Sequence, residues 1–217
     1  MATATLGNNL SMKELTNAAG CLIILAALRC FGVEDTNVVA LGDWSETVAN
    51  QYGTSVRGRL LMCEYPDHRS TVARSDLGVF VELQEYSSST GGQVHLYCDF
   101  TKDLKCNITD AIGRPPEPVG GGWTGGAPGP QWVTLPAFSS IRLRASAFAG
   151  GRLRDGSLGL WFAGAGNWTI KPSDTNHYFL SGTFTSVPGN NTNNFPHTEI
   201  WSGTLNLPKM KVPTNTR

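Results

Sequence analysis

The chain has 217 residues, enough for one large domain or two small ones, and its 40% hydrophobic content can supply a buried core. Only 16% of residues are charged while Gly (25) and Pro (12) are plentiful, a balance that favours many short strands over long helices. Lys plus Arg (17) equals Asp plus Glu (17) and no block of like charge appears, so the basic stripe of a nucleic-acid binder is missing.

Residues 21–31, CLIILAALRCF, are the most apolar run of the chain. The run falls short of the ~20 residues that span a membrane and suits the apolar centre of a secretory signal. No cluster of Lys or Arg precedes it; translation from Met12 would place Lys13 ahead of it. Residues 1–40 therefore read as a signal-like segment, with cleavage near Val38-Val39-Ala40 or slightly earlier. The alternative is a core helix, because Leu22, Ile23, Leu25, Ala26 and Leu28 are apolar almost all round. Export, to the medium, the periplasm or the cell envelope, is the expectation, with no membrane span in the mature chain. Residues 41–54 read as a linker.

From Gly53 onward, apolar residues recur with the period of two that a half-buried strand requires. Val79, Val81 and Leu83 alternate with Phe80, Glu82 and Gln84. Val94, Leu96 and Cys98 alternate with His95 and Tyr97, and Leu104, Cys106 and Ile108 with Lys105 and Asn107. Ile141, Leu143 and Ala145 alternate with Arg142 and Arg144. Further strands are expected over residues 56–64, 131–135, 157–162, 168–170, 178–186 and 200–207. Clusters of Gly, Pro, Asn and Asp at 87–92, 113–130, 150–156 and 188–196 separate them. About ten strands at this spacing, with no helical stretch to supply crossovers, predict an all-β domain over residues 55–213. Its class is an antiparallel two-sheet sandwich, immunoglobulin-like or Greek key. Residues 214–217 form a polar tail.

The stretches GDWSETVANQYGTSVRGRLL, VFVELQEYS and QVHLYCDF, followed by QWVTLPAFSSIRLRAS, YFLSGTFTSVP and WSGTLNLPKMKV, resemble a group of uncharacterised exported bacterial proteins with immunoglobulin-like sandwiches. The architecture is also similar to that of intracellular-proteinase-inhibitor-like domains. The resemblance covers residues 42–213 and rests on strand and turn patterns. It implies a fold and an exported location but no reaction, because sandwiches host many unrelated functions.

Candidate chemistry is sparse. Cys98 and Cys106 fall in the same phase of adjacent predicted strands, so a turn near Lys102 would set them opposite each other. A disulfide in an oxidising compartment and a pair of buried thiols are the two alternatives. No C-x₂-C pair and no H-E-x-x-H spacing occurs, so no metal ligand set is assigned; His68, His95, His177 and His197 read as surface or turn residues. Asp99, Asp103 and Asp110 surround one hairpin, where turn formation is the simpler reading than a calcium loop. No G-x-S-x-G elbow occurs, and the glycine-rich stretch 120–130 lacks the Gly-Lys-Ser/Thr of a phosphate cradle. Of six Trp, Trp44, Trp123 and Trp132 lie in or beside loops and suit stacking on sugar rings, whereas Trp161, Trp168 and Trp201 fall in strands and suit packing. Arg142, Arg144, Arg152 and Arg154 flank one predicted hairpin and present an anion-binding face or a merely solvated one. Sequons at Asn107, Asn167 and Asn190 matter only in a eukaryotic secretory pathway.

These readings combine into a non-catalytic, exported binding or structural module without cofactor, whose partner is a protein or glycan at the cell envelope. Trp123, Trp132, Arg142 and Arg144 are the candidate ligand-binding residues, and loops 113–130 and 188–197 the expected contact surface. The alternatives are a proteinase-inhibitor-like domain and a carbohydrate-binding module that uses its loop tryptophans.

Overall fold

The computed structural model describes residues 37–66, 73–87, 92–99, 101–118, 130–145, 150–153, 155–162, 166–188 and 195–213. The run 21–31, Trp123, His68, Arg154 and the Asn190 sequon lie outside the described residues, as does the side chain of Arg152.

Fourteen strands are described: β1 (Asn37–Leu41), β2 (Val48–Ala49), β3 (Ser55–Pro66), β4 (Ala73–Glu85), β5 (Val94–Cys98), β6 (Leu104–Asp110), β7 (Glu117–Pro118), β8 (Gln131–Leu135), β9 (Ser140–Arg144), β10 (Gly150–Leu153), β11 (Leu158–Phe162), β12 (Gly166–Ile170), β13 (Tyr178–Ser186) and β14 (Gly203–Lys211). The expected all-β sandwich is what the chain adopts. Its strands pair antiparallel in three sheets of nine, three and two. The long β3–β4 pair is the centre of the largest sheet, in register from Val56↔Glu85 to Pro66↔Ser75. One edge of β3 carries β1 and β2, and the far edge of β4 carries β9 and β10, each pair lying end to end along a single neighbour. β11, β12 and β7 extend the sheet beyond β10. The second layer consists of β14-β13-β6 and of β5-β8. The Ser186 hydroxyl joins these two sheets, donating to the Tyr97 carbonyl and accepting from the Tyr97 amide.

Alternation explains the packing. Val56, Leu60 and Met62 of β3 and Leu77, Val79, Val81 and Leu83 of β4 point inward, against Leu96, Ile108, Phe184, Leu205 and Leu207 of the facing layer. Gly58 marks the closest approach. A Cβ there would sit 3.0 Å from Leu205 Cδ1 and from Leu207 Cδ2, so β14 can lie directly on β3 only because that side chain is missing. Trp201 is wholly buried and donates its Nε1–H to the Val48 carbonyl at 2.9 Å, closing the same end of the core.

Several expectations need correction. The stretch 41–54 is no linker: Gly42 N–H bonds the Leu60 carbonyl and Ser45 N–H the Gly58 carbonyl, so the chain tracks β3 from Asn37 to Ala49. β1 begins at Asn37, so Val38-Val39-Ala40 lies within it, and Val39 and Ala40 pack against the core. Gly150–Leu153, expected as turn, is β10. The two loops expected to share one contact surface leave from opposite ends of β13: β6 ends at Asp110 beside Tyr178, whereas residue 188 follows Ser186.

Candidate functional site

The same alternation that fills the core lines up charge on the outer face of β3, β4 and β9. Register places Arg57, Gln84 and Ser140 in one row, Arg59, Glu82 and Arg142 in the next, and Leu61, Phe80 and Arg144 in the third. Glu82 is buried, only 4% exposed as a residue. It accepts from Arg59 Nε at 2.7 Å and Nη2 at 2.6 Å, from Arg142 Nε at 3.2 Å and from Ser140 Oγ at 3.3 Å. One buried carboxylate thus holds two guanidiniums in fixed positions.

Arg57 is treated differently. Its Nε–H donates to the neutral Gln84 Oε1 at 2.8 Å, and its guanidinium lies 4.7 Å from the centroid of the Trp44 ring and 4.1 Å from that of Tyr86. Arg59 also stacks on Trp44, at 4.2 Å. Among the described residues, no carboxylate pairs with Arg57. Backbone pairing positions Trp44: the bonds of Gly42 and Ser45 to β3 hold the segment, and the Ser45 hydroxyl accepts from Gly58 N–H at 3.0 Å. Gly42 is needed because a Cβ there would meet the Leu60 carbonyl at 3.1 Å.

At the adjoining end of the sandwich, Tyr86 is 52% exposed and Phe138 68% exposed. Phe138 has φ 55°, a left-handed conformation costly for an aromatic residue. The buried carboxylate of Glu85 fixes it, accepting from Phe138 N–H and from Ser87 N–H, each at 2.7 Å. Asn50 and Thr54 tie the neighbouring turn to the Ile200 and Thr198 carbonyls. On another side of Trp44, a groove of about 450 Å³ is lined by Glu46, Val48, Thr204, Asn206 and Pro208.

Searches against protein-family models, curated proteins and solved structures find no match.

Of the residues singled out in the sequence, Arg142 and Arg144 occupy the arginine face, both exposed, with Arg142 held by Glu82. Trp132 does not join them. It lies half-buried on β8, with Tyr97 at 5.4 Å and Phe195 at 5.0 Å between ring centroids, and its buried Nε1–H has no hydrogen-bond acceptor among the described residues. Cys98 and Cys106 are not cross-strand neighbours, because β5 pairs with β8 and β6 with β13. Both are free thiols, and burial pushes each up to about 12. His95 is no surface residue: it is 3% exposed, stacked on Phe195 at 3.9 Å, with Nδ1 2.9 Å from Thr134 Oγ1 and Nε2 3.4 Å from Glu199 Oε2. His177 and His197 are exposed. The Asp99 and Asp110 carboxylates accept from amides two to four residues on, as turn formers do.

Sequence reasoning missed Arg57, Arg59, Glu82 and Tyr86. The signal was present in part: Arg57 and Arg59 straddle Gly58 in the phase opposite Val56 and Leu60, and Glu82 and Gln84 alternate with Val81 and Leu83.

Proposed function

We propose that the chain is a non-catalytic, exported binding module of the cell envelope, and that it holds its partner with the surface formed by Trp44, Arg57, Tyr86 and Phe138. The observation that carries this reading is the stacking of Arg57 between Trp44 and Tyr86. Tyr, Trp and Arg are the residues that dominate binding energy at interfaces, and the two aromatics bring large contact area at low entropic cost. Arg57 lies on β3, and the flanking segments of Trp44 and Tyr86 are bonded to that strand through Ser45 N–H to Gly58 and Tyr86 N–H to Ser55, so little ordering accompanies binding. Phe138 adds to the case: a strained, solvent-facing aromatic residue held by a buried carboxylate is a feature that stability alone would not favour. The apolar run 21–31 supports export.

A sedimentation assay tests the reading. The full chain is mixed with insoluble cell-wall polysaccharides and peptidoglycan sacculi, and retention is compared with that of Tyr86→Ala and Phe138→Ala. Retention of the parent on at least one material, with at least tenfold loss in both variants at unchanged melting temperature, supports the surface. Equal retention of parent and variants, or none of the parent, sinks it.

A further inference from the structure

Arg57 carries a charge that nothing described on the face neutralises. The first two rows hold three arginines, Arg57, Arg59 and Arg142, against one carboxylate, Glu82, and that carboxylate is taken up by Arg59 and Arg142. The acidic neighbours on the Trp44 segment, Asp43 and Glu46, are exposed and neither is ion-paired with Arg57. The cationic excess is confined to these two strand rows, in a chain whose Lys plus Arg (17) and Asp plus Glu (17) balance. Stacking fixes the plane of the Arg57 guanidinium while leaving its terminal N–H groups without a carboxylate, the arrangement that recognises a planar oxyanion through two parallel hydrogen bonds.

The groove beside Trp44 indicates what carries the anion. Its lining combines the Trp44 ring and the aliphatic Val48, Leu207 and Pro208 with a hydroxyl (Thr204), an amide (Asn206) and a carboxylate (Glu46). That mixture of a stacking surface and short hydrogen-bonding groups matches the hydroxyl-rich ring of a sugar better than an apolar peptide side chain. We infer that the partner is an acidic glycan, with a sugar carboxylate on Arg57 and an adjacent ring in the groove against Trp44. The inference rests on the proposed contact surface and narrows its partner to uronate-bearing polymers.

Calorimetric titration of the full chain with tetragalacturonate and with its fully methyl-esterified form tests this, because the two probes differ in charge and share the sugar backbone. The acid form is expected to bind at least tenfold more tightly than the ester. Arg57→Gln, which keeps a side chain beside Gln84, is expected to lose roughly tenfold to a hundredfold of that affinity, the effect of a charge-assisted hydrogen bond. Arg57→Lys should fail to restore it, since a point charge lacks the fork. Equal affinity for acid and ester, an unaffected Arg57→Gln, or no binding of either probe overturns the glycan assignment. If the parent binds acid and ester equally and Tyr86→Ala abolishes both, the contact surface survives and the anion assignment alone falls. If Tyr86→Ala leaves strong binding untouched, the surface falls with it.

Discussion

Replacing Glu82 with Gln keeps the shape of the side chain and one acceptor but removes the charge that organises the arginine face. The Glu82 side chain is 6% exposed, that of Arg59 20% and that of Arg142 41%. The Arg142 pair is largely solvent-screened and contributes at most about 0.5 kcal/mol. The Arg59 pair is short, uses two guanidinium nitrogens and is mostly buried, so its loss costs about 1.5–3 kcal/mol. Urea denaturation of Glu82→Gln should therefore show a destabilisation of about 2–3 kcal/mol with an unchanged dependence on denaturant. Arg59→Met should be costly alone and much less so in the Glu82→Leu background, because removing both partners leaves no buried charge. A double-mutant cycle should return a coupling of at least about 1 kcal/mol. A Glu82→Gln variant within about 0.5 kcal/mol of the parent, or a coupling below that size, would show that Glu82 does not anchor the face.

Four further outcomes follow from the geometry. Gly58→Ala should destabilise by about 1–3 kcal/mol through overpacking against Leu205, Leu207 and Leu83, and a neutral result in thermal melts would mean β14 does not lie on β3. Phe138→Asn should raise stability by about 0.5–1 kcal/mol, since Asn accepts the left-handed backbone and the exposed ring gives up little burial; a loss of stability would contradict the strain. Acid should unfold the protein: the Thr101 hydroxyl holds the Asp99 carboxyl below its ordinary range, the Ser157 and Tyr178 hydroxyls do the same for Asp155 and Asp174, and at Asp110 burial pushes upward but bonds from Arg114 and Ile112 outweigh it. Groups with depressed folded values stabilise above the unfolded carboxylate value of about 4 and lose that contribution as pH falls through the folded values, so the melting temperature should be flat above pH ~5 and drop below pH ~4; a flat profile down to pH ~3 would count against these bonds. Native Cys98 and Cys106 should resist iodoacetamide at pH ~8, as thiols raised to about 12 must, and react once unfolded; a peptide cross-linking the two would contradict their placement in different sheets.

Much of the fold is legible in the sequence because the sandwich is built on alternation. Val79, Val81 and Leu83 face the core and Phe80, Glu82 and Gln84 the outside, as their order along β4 requires, and the bounds of β8 and β13 follow from the turn residues beside them. The illegible strands have no alternating pattern of their own. β1 is exposed at three of its five positions and exists because β3 offers an unpaired edge, and the first four residues of β4, Ala-Arg-Ser-Asp, are mostly polar yet pair between β3 and β10. Trp201 lies outside β14 because its backbone N–H bonds the His95 carbonyl of β5 rather than β13.

The site was half legible. Arg142, Arg144 and Trp44 stood out by type and location, but Arg57 and Arg59 meet them only through the register of three strands, which no local pattern encodes. His95 misled for the same reason: its strand phase points outward, and Phe195, a hundred residues later, covers it.

The most direct measurement is nuclear magnetic resonance of the Arg57 side chain in the full, unliganded chain. A guanidinium held over the Trp44 and Tyr86 rings experiences their ring currents, so its guanidinium and δ-methylene protons should lie clearly upfield of the other arginines. The shift should partly relax in Trp44→Ala and again in Tyr86→Ala. Arg57 protons at ordinary arginine positions, unmoved by either substitution, would contradict the clamp on which the proposed contact surface depends.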